Sequence, residues 1–371
     1  MAINKLPNFR NLQSGLALLN QVTFLTFSAL STIPEFAGPM VQRGDLEGVA
    51  MTFRAAMKNF KNTEEANNML RAVGLMGISQ SVEASIYAGD LGWATNTTQN
   101  LSKFFFKSIF ITKMMNFLGR NSGIVAYMAI ESDAKRGLQG DAQAIERLAL
   151  LNLTPEEATY ALNKVNFLDE SNPKTMSEYS KLFRTDNRTV KLRQGISILS
   201  KEMMLKPNSA QRTIWMNNPF FALLSQLKPF YYSYGKVFIS NVINNVRRQY
   251  KYNGPIASII PLIILIGMML PLAALGLELR ELVKYVLKGG DPEVFRSDDM
   301  TMPSYLVELI DRSGITGQAG LLIPTFEAEL YGDAFFTPLL GPTAERGFDI
   351  IEGEGNVWDY VPWLGAVGYD N

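Results

Sequence analysis

The sequence predicts a mainly α chain: a multi-helix assembly with kinked apolar helices and little or no β-sheet. Apolar residues recur at spacings of three and four, capping signals open some of those runs, and no convincing run of strand-like alternation interrupts them. A third observation sets the character of the assembly. From Gly254 to Leu277 the chain reads "GPIASIIPLIILIGMMLPLAALGL" and carries no charged side chain.

Composition narrows the functions that such a chain can perform. Its 371 residues suffice for two or three structural units. Lys plus Arg equals Asp plus Glu at 35 each, so overall charge gives no argument for a polyanionic partner. Charged residues make up 19% and hydrophobic residues 47%, an apolar balance that leans towards membrane or extensive oligomeric contact. With no cysteine and no histidine, the chain lacks thiolate nucleophiles, Cys-based metal sites, a Ser-His-Asp triad and an HExxH centre. No carboxylate pair has a spacing that singles it out. The reading is therefore non-enzymatic, with no catalytic, cofactor-binding or metal-ligating residue nominated. The first residues, "MAINKLPNFRNLQSG", carry no secretory signal pattern.

Taken in order, residues 11–34 form an uncharged stretch studded with Asn, Gln, Ser and Thr, suited to packing against other helices. Pro34 and the Ala37–Pro39 triplet are expected to end it. From Asp45 to Ala88 two helices are expected, the first with an apolar face of Leu46, Val49, Ala50 and Phe53. Asn62 is placed as N-cap of the second, with Glu65 reaching back to it. A turn follows near Gly89.

Residues 101–118 are rich in Phe and Met, with Phe105, Ile109, Thr112 and Asn116 on one stripe and Lys103, Lys107 and Lys113 at the edges. Such a helix fits an anionic membrane surface or a protein core. Thr154, Pro155 and Glu157 spell a capping box with proline at the first helical position. Residues 169–194 are polar and turn-rich, and are expected to be a linker or exposed loop between a helical region 1–168 and a second at 195–371. The basic residues there, including Lys174, Lys181, Arg184 and Arg188, read as a solvated face.

The apolar segment 254–277 is long enough to span a bilayer, since roughly 20 apolar residues cross about 30 Å of hydrocarbon. Charges bound it on both sides: Arg247, Arg248 and Lys251 before, Glu278, Arg280, Glu281 and Lys284 after. Pro255 fits a first helical turn, whereas Pro261 and Pro271 are expected to kink the helix. Membrane insertion and burial as a kinked hairpin in a soluble core both fit. Pro261, Ile264, Met268 and Pro271 are the candidate membrane-inserting residues. Beyond it, "LELRELVKYVLKGG" and "MPSYLVELIDRSG" read as amphipathic helices closed by glycine.

Three further stretches carry a resemblance: "NNPFFALLSQLKPFYYSYGKVFISN" (217–241), "ELIDRSGITG" (308–317) and "FFTPLLGPTAERGFDII" (335–351). Phe220, Phe221, Tyr231, Tyr232 and Tyr234 in the first are candidate interface aromatics. Together these stretches resemble the C-terminal portion of large internal virion proteins, or ejection proteins, of short-tailed bacteriophages. The resemblance covers roughly Trp215 to Ile351 and its motifs are structural. It implies storage inside the capsid near the portal and expulsion on infection to help form a conduit across the host envelope. The implied partners are further copies of the chain, other internal virion or portal proteins and the host membrane, with non-specific DNA contact allowed. Some relatives carry an N-terminal lytic transglycosylase domain, whose catalytic-Glu motif has no match in the first two hundred residues here. An integral membrane channel or pore former is the alternative reading.

Overall fold

The computed structural model describes residues 33–61, 63–75, 111–167, 171, 173–204, 239–287 and 309–310. Of the described residues 88% are helical and none forms a strand, which makes the protein mainly α. The elements run η1 (Ile33–Ala37, a 3₁₀ turn), α1 (Gly38–Arg43), α2 (Leu46–Lys61), α3 (Thr63–Val73) and α4 (Ile111–Leu138). They continue with α5 (Ala142–Leu150), α6 (Pro155–Val165), α7 (Met176–Thr185), α8 (Asn187–Met203), α9 (Ser240–Ala257) and α10 (Ile260–Leu287).

Helix α4 is the axis of the larger core. Its 28 residues contain no proline, and it packs against α2, α5, α6 and α8 and more lightly against α1 and α3. Nearly every side chain from Asn121 to Ile130 is buried, so this stretch of the helix is enclosed on all sides. Aromatic rings close the distal side: Tyr127, Phe167, Tyr179 and Phe183 follow one another with centroid separations of 5.3, 6.4 and 6.4 Å. Their polar ends are satisfied, for the Tyr127 hydroxyl accepts from the Phe167 amide and the Tyr179 hydroxyl donates to Glu65.

A second, smaller core lies beside the first. Ala37, Met40, Val41, Val242, Ile264, Leu265 and Met269 are its buried members, contributed by η1, α1, α9 and α10. Phe36 packs against both cores, stacking on Phe117 and meeting Phe53 edge-on.

Local signals explain where most helices begin. The Thr154 hydroxyl accepts from the Glu157 amide while the Glu157 carboxylate accepts from the Thr154 amide, both at 3.2 Å, as the sequence predicts. Several expectations are corrected. Residues 169–194, expected as a polar linker or loop, contain α7 and the start of α8, with Tyr179, Phe183 and Leu192 in the core. Thr175 and Glu178 form a second capping box there, a pattern the turn-rich composition hid.

Helix α2 forms as expected but buries a different face. Leu46 is 71% exposed and Phe53 49%, while Met51, Thr52, Ala55 and Asn59 point inward against α4. Pro39 opens α1 from its first turn, where a proline lacks nothing the helix needs, so the Ala37–Pro39 triplet starts a helix. Glu65 bonds Tyr179, and Asn62 lies outside the described residues. So do residues 101–110 of the Phe- and Met-rich segment; its remainder belongs to α4, with Met115 and Leu118 buried in the larger core.

Candidate membrane-inserting helix and its seat

Helix α10 is the element whose burial is least complete for its composition. Its segment from Ile260 to Arg280, 21 residues, is the one helix among the described residues long and apolar enough to cross a membrane, and 39% of its most apolar 18 residues are buried. At 1.5 Å per residue it spans about 31 Å, the thickness of a bilayer's hydrocarbon layer.

The buried stripe follows helical spacing. Pro261, Leu265, Met269, Ala273 and Leu277 recur every four residues, and Ile264 joins them. This stripe rests chiefly on η1, with further contact to α9 and α1. The opposite face bears Leu262, Ile263, Ile266 and Leu275, which are 41%, 62%, 52% and 50% exposed. Isolated exposed apolar residues are ordinary in soluble proteins, but four on one helix face make a patch.

The prolines act differently from expectation. Pro261 is the second residue of α10, so it begins the helix and kinks nothing. The break falls at Gly254, whose φ of 85° and ψ of −179° lie outside helical space. Pro255 then restarts the chain into a short turn. Pro271 lies within α10, as predicted, and removes the bond that its N–H would give Gly267. The boundary expected after Leu277 is absent, and α10 continues through it to Leu287.

Of the four nominated residues, Pro261 and Ile264 face the seat, Met268 lies at its edge and Pro271 is exposed. The outward-facing Leu262, Ile263, Ile266 and Leu275 were not singled out, because an all-apolar helix offers no polar stripe by which to tell its faces. Phe220, Phe221, Tyr231, Tyr232 and Tyr234 lie outside the described residues, as does most of each stretch that carries the phage resemblance.

Polar contacts hold the neighbouring α9. Glu146 on α5 accepts from Arg248 at 3.2 Å, Lys251 at 2.9 Å and the Tyr252 hydroxyl at 2.5 Å. Tyr252, Lys251 and Arg248 together hold its carboxyl down at about 2. Asn245 donates to the carbonyls of Val41 and Gln42 at 3.1 and 2.8 Å, satisfying the end of α1.

Below this latch lies a buried charge network. Arg43 donates to Asp133 at 2.8 Å, Glu47 at 3.0 Å and Asp45 at 3.1 Å, and Arg147 reaches both aspartates. Burial pushes the Asp133 carboxyl above its ordinary value, against the pull of Arg43 and Arg147. Each carboxylate is taken by an arginine, and among the described residues no group of acids is arranged to hold a metal ion.

Glu35, in η1, differs from all of these. It keeps some surface, and burial alone pushes its carboxyl up to about 8.

The fold and site define a mainly α protein that seats one spanning-length apolar helix against a 3₁₀ turn and latches its neighbour by charge. No family model matches the chain, and no curated protein or solved structure is found similar to it.

Proposed function

We propose that the chain is a non-enzymatic internal virion protein of a short-tailed phage, expelled to help build a conduit through the host envelope. In this reading it is stored as an oligomer in the capsid interior near the portal, beside other internal virion proteins and within reach of the genome. Helix α10 is its membrane-inserting device after ejection.

The observation that carries the reading is the helix itself: a spanning-length segment of 21 residues, free of polar side chains from Ile260 to Leu277, with 39% of its most apolar 18 residues buried and an outward face that is apolar rather than polar. A core helix of a soluble protein hides such a face, and a surface helix replaces it with charge. The resemblance of residues 215–351 to ejection proteins supplies the biological setting. A resident channel or pore former is the second reading, favoured by the same spanning length.

The test is flotation of purified full-length protein with liposomes, coupled to protease mapping of residues 254–277. Flotation with protection of that segment supports the insertion device. Protein that stays at the bottom of the gradient removes it. A need for detergent throughout synthesis and purification favours the resident channel.

A further inference from the structure

We propose that α10 is a hinged arm that swings about Gly254 off its η1 seat while α9 stays latched to α5, and that loss of the proton from Glu35 releases it. The inference rests on the membrane-inserting reading of α10 and adds its regulation.

The hinge is built into the backbone. At Gly254 φ is 85° and ψ −179°, a region that side-chain-bearing residues essentially do not enter. Nothing lies within 4 Å of the position a Cβ would take. The link that follows is loosely held, with Ile256 85% exposed and Ile259 51%. The Ser258 hydroxyl bonds locally to the Pro255 carbonyl.

Next to the hinge the two sides are fastened by different physics, while Arg280 and Tyr285 further along α10 make contacts of their own. Helix α9 carries the three donors on Glu146, the Asn245 bonds to α1, and a bond from Asn253 to Gln143. From Ile260 to Leu277 the sequence holds no polar side chain, so that part of α10 is seated by apolar contact alone. Glu35 occupies the turn on which it rests, between buried Pro34 and buried Ala37.

Among the described residues no charge neutralises Glu35. Helix α10 bears Glu278, Arg280, Glu281 and Lys284 in its C-terminal part, beyond the apolar stretch, and α1 bears Arg43, which is engaged by three carboxylates. Helices α2 and α4, which reach η1 through Phe53 and Phe117, bear Arg54, Lys58, Lys113 and Arg120. Among the described residues burial is the one influence on the Glu35 carboxyl, so the closed seat favours its protonated form.

The sign follows from linkage. Because the seated carboxyl titrates at about 8 against an ordinary 4.5, seating is fully stable below 4.5 and weakens as pH rises towards 8. The Glu146 latch runs the other way: it is complete above 4.5 and fails only as pH falls towards about 2. Between 4.5 and 8 the latch holds while the seat loosens, which is what a hinged arm requires.

The cysteine-free chain makes the test direct. Ile264→Cys places a thiol on the seated face, which is 4% exposed, and Ile263→Cys places one on the open face, 62% exposed. The ratio of their maleimide labelling rates cancels the thiol's own titration. We expect this ratio to rise between about pH 5 and about pH 8, by up to about tenfold per pH unit, and to stay flat when Glu35→Gln is added. Ile196→Cys, in the larger core, stays unlabelled throughout. A flat ratio with Glu35 present, an equal rise with Glu35→Gln, or parallel labelling of Ile196→Cys overturns the proposal. The measurement uses no lipid, so its failure leaves the flotation result standing, and a released arm that does not float with liposomes refutes insertion instead.

Discussion

Arg43 donates to three carboxylates while only 3% of its side chain meets water, and Asp133 faces it with 7% exposed. Asp133→Ala removes the most buried of the three carboxylates from Arg43 and one of two from Arg147, so it should cost up to about 3–5 kcal/mol of unfolding free energy, the remaining Asp45 and Glu47 limiting the loss. By contrast Lys135→Ala, which deletes the exposed pair with Glu131, should change stability by less than about 1 kcal/mol. Urea denaturation of the two variants checks both, and equal losses would contradict the view that burial sets the value of these pairs. Gly44 supplies a second residue-level expectation. It closes α1 at φ 67°, and a Cβ there would lie 2.7 Å from the Asn245 amide nitrogen. Gly44→Ala should therefore lower the melting temperature and loosen α9, beyond the roughly 1–2 kcal/mol that the left-handed conformation alone costs. The i,i+4 pairs Lys135–Glu131 and Arg43–Glu47 have a spacing that sequence can suggest, whereas Arg43 and Asp133 are ninety positions apart and only the fold brings them together.

Elements were more legible than pairings where their signals are local. The Thr154 box announces α6 in four residues, and the same logic at Thr175 and Glu178 was available but masked by the surrounding polar, turn-prone residues. Thr154→Ala and Thr175→Ala should each cost about 1 kcal/mol by denaturant titration, and the second should do so although its segment reads as a linker. A negligible effect at Thr175 would mean that α7 is fixed by Tyr179 and Phe183 rather than by its cap. Faces were less legible than helices. In α2 two apolar stripes compete, and the one buried contains Thr52 and Asn59, which donate to the Gly48 and Phe117 carbonyls while the Asn59 side-chain oxygen accepts from Arg120. In α10 no stripe stands out at all, so the seated and outward faces become distinguishable only once η1 is in place.

At the scale of the molecule, the two cores meet through Phe36, the Arg43 network, the Glu146 latch, the Gln42–Glu202 and Asn253–Gln143 bonds, and the packing of α1 on α2 and α8. The larger core has an interior of its own in Ile124, Val125, Ile130, Phe167 and Phe183, none of which touches the smaller cluster's membership. Phe36→Ala should then act unequally. It removes a ring that stacks on Phe117 at 6.4 Å and meets Phe53 at 5.9 Å, at a cost of about 1–3 kcal/mol for a partly buried aromatic. Because the lost ring also supports the turn under α10, the weakening should concentrate in the smaller core. Hydrogen exchange followed by mass spectrometry distinguishes the outcomes. Faster exchange in α10 and α1, with the centre of α4 protected as before, would show that the seat opens as a unit of lower stability. Uniform acceleration through α4 would mean that both cores unfold together, and would leave no separately releasable arm.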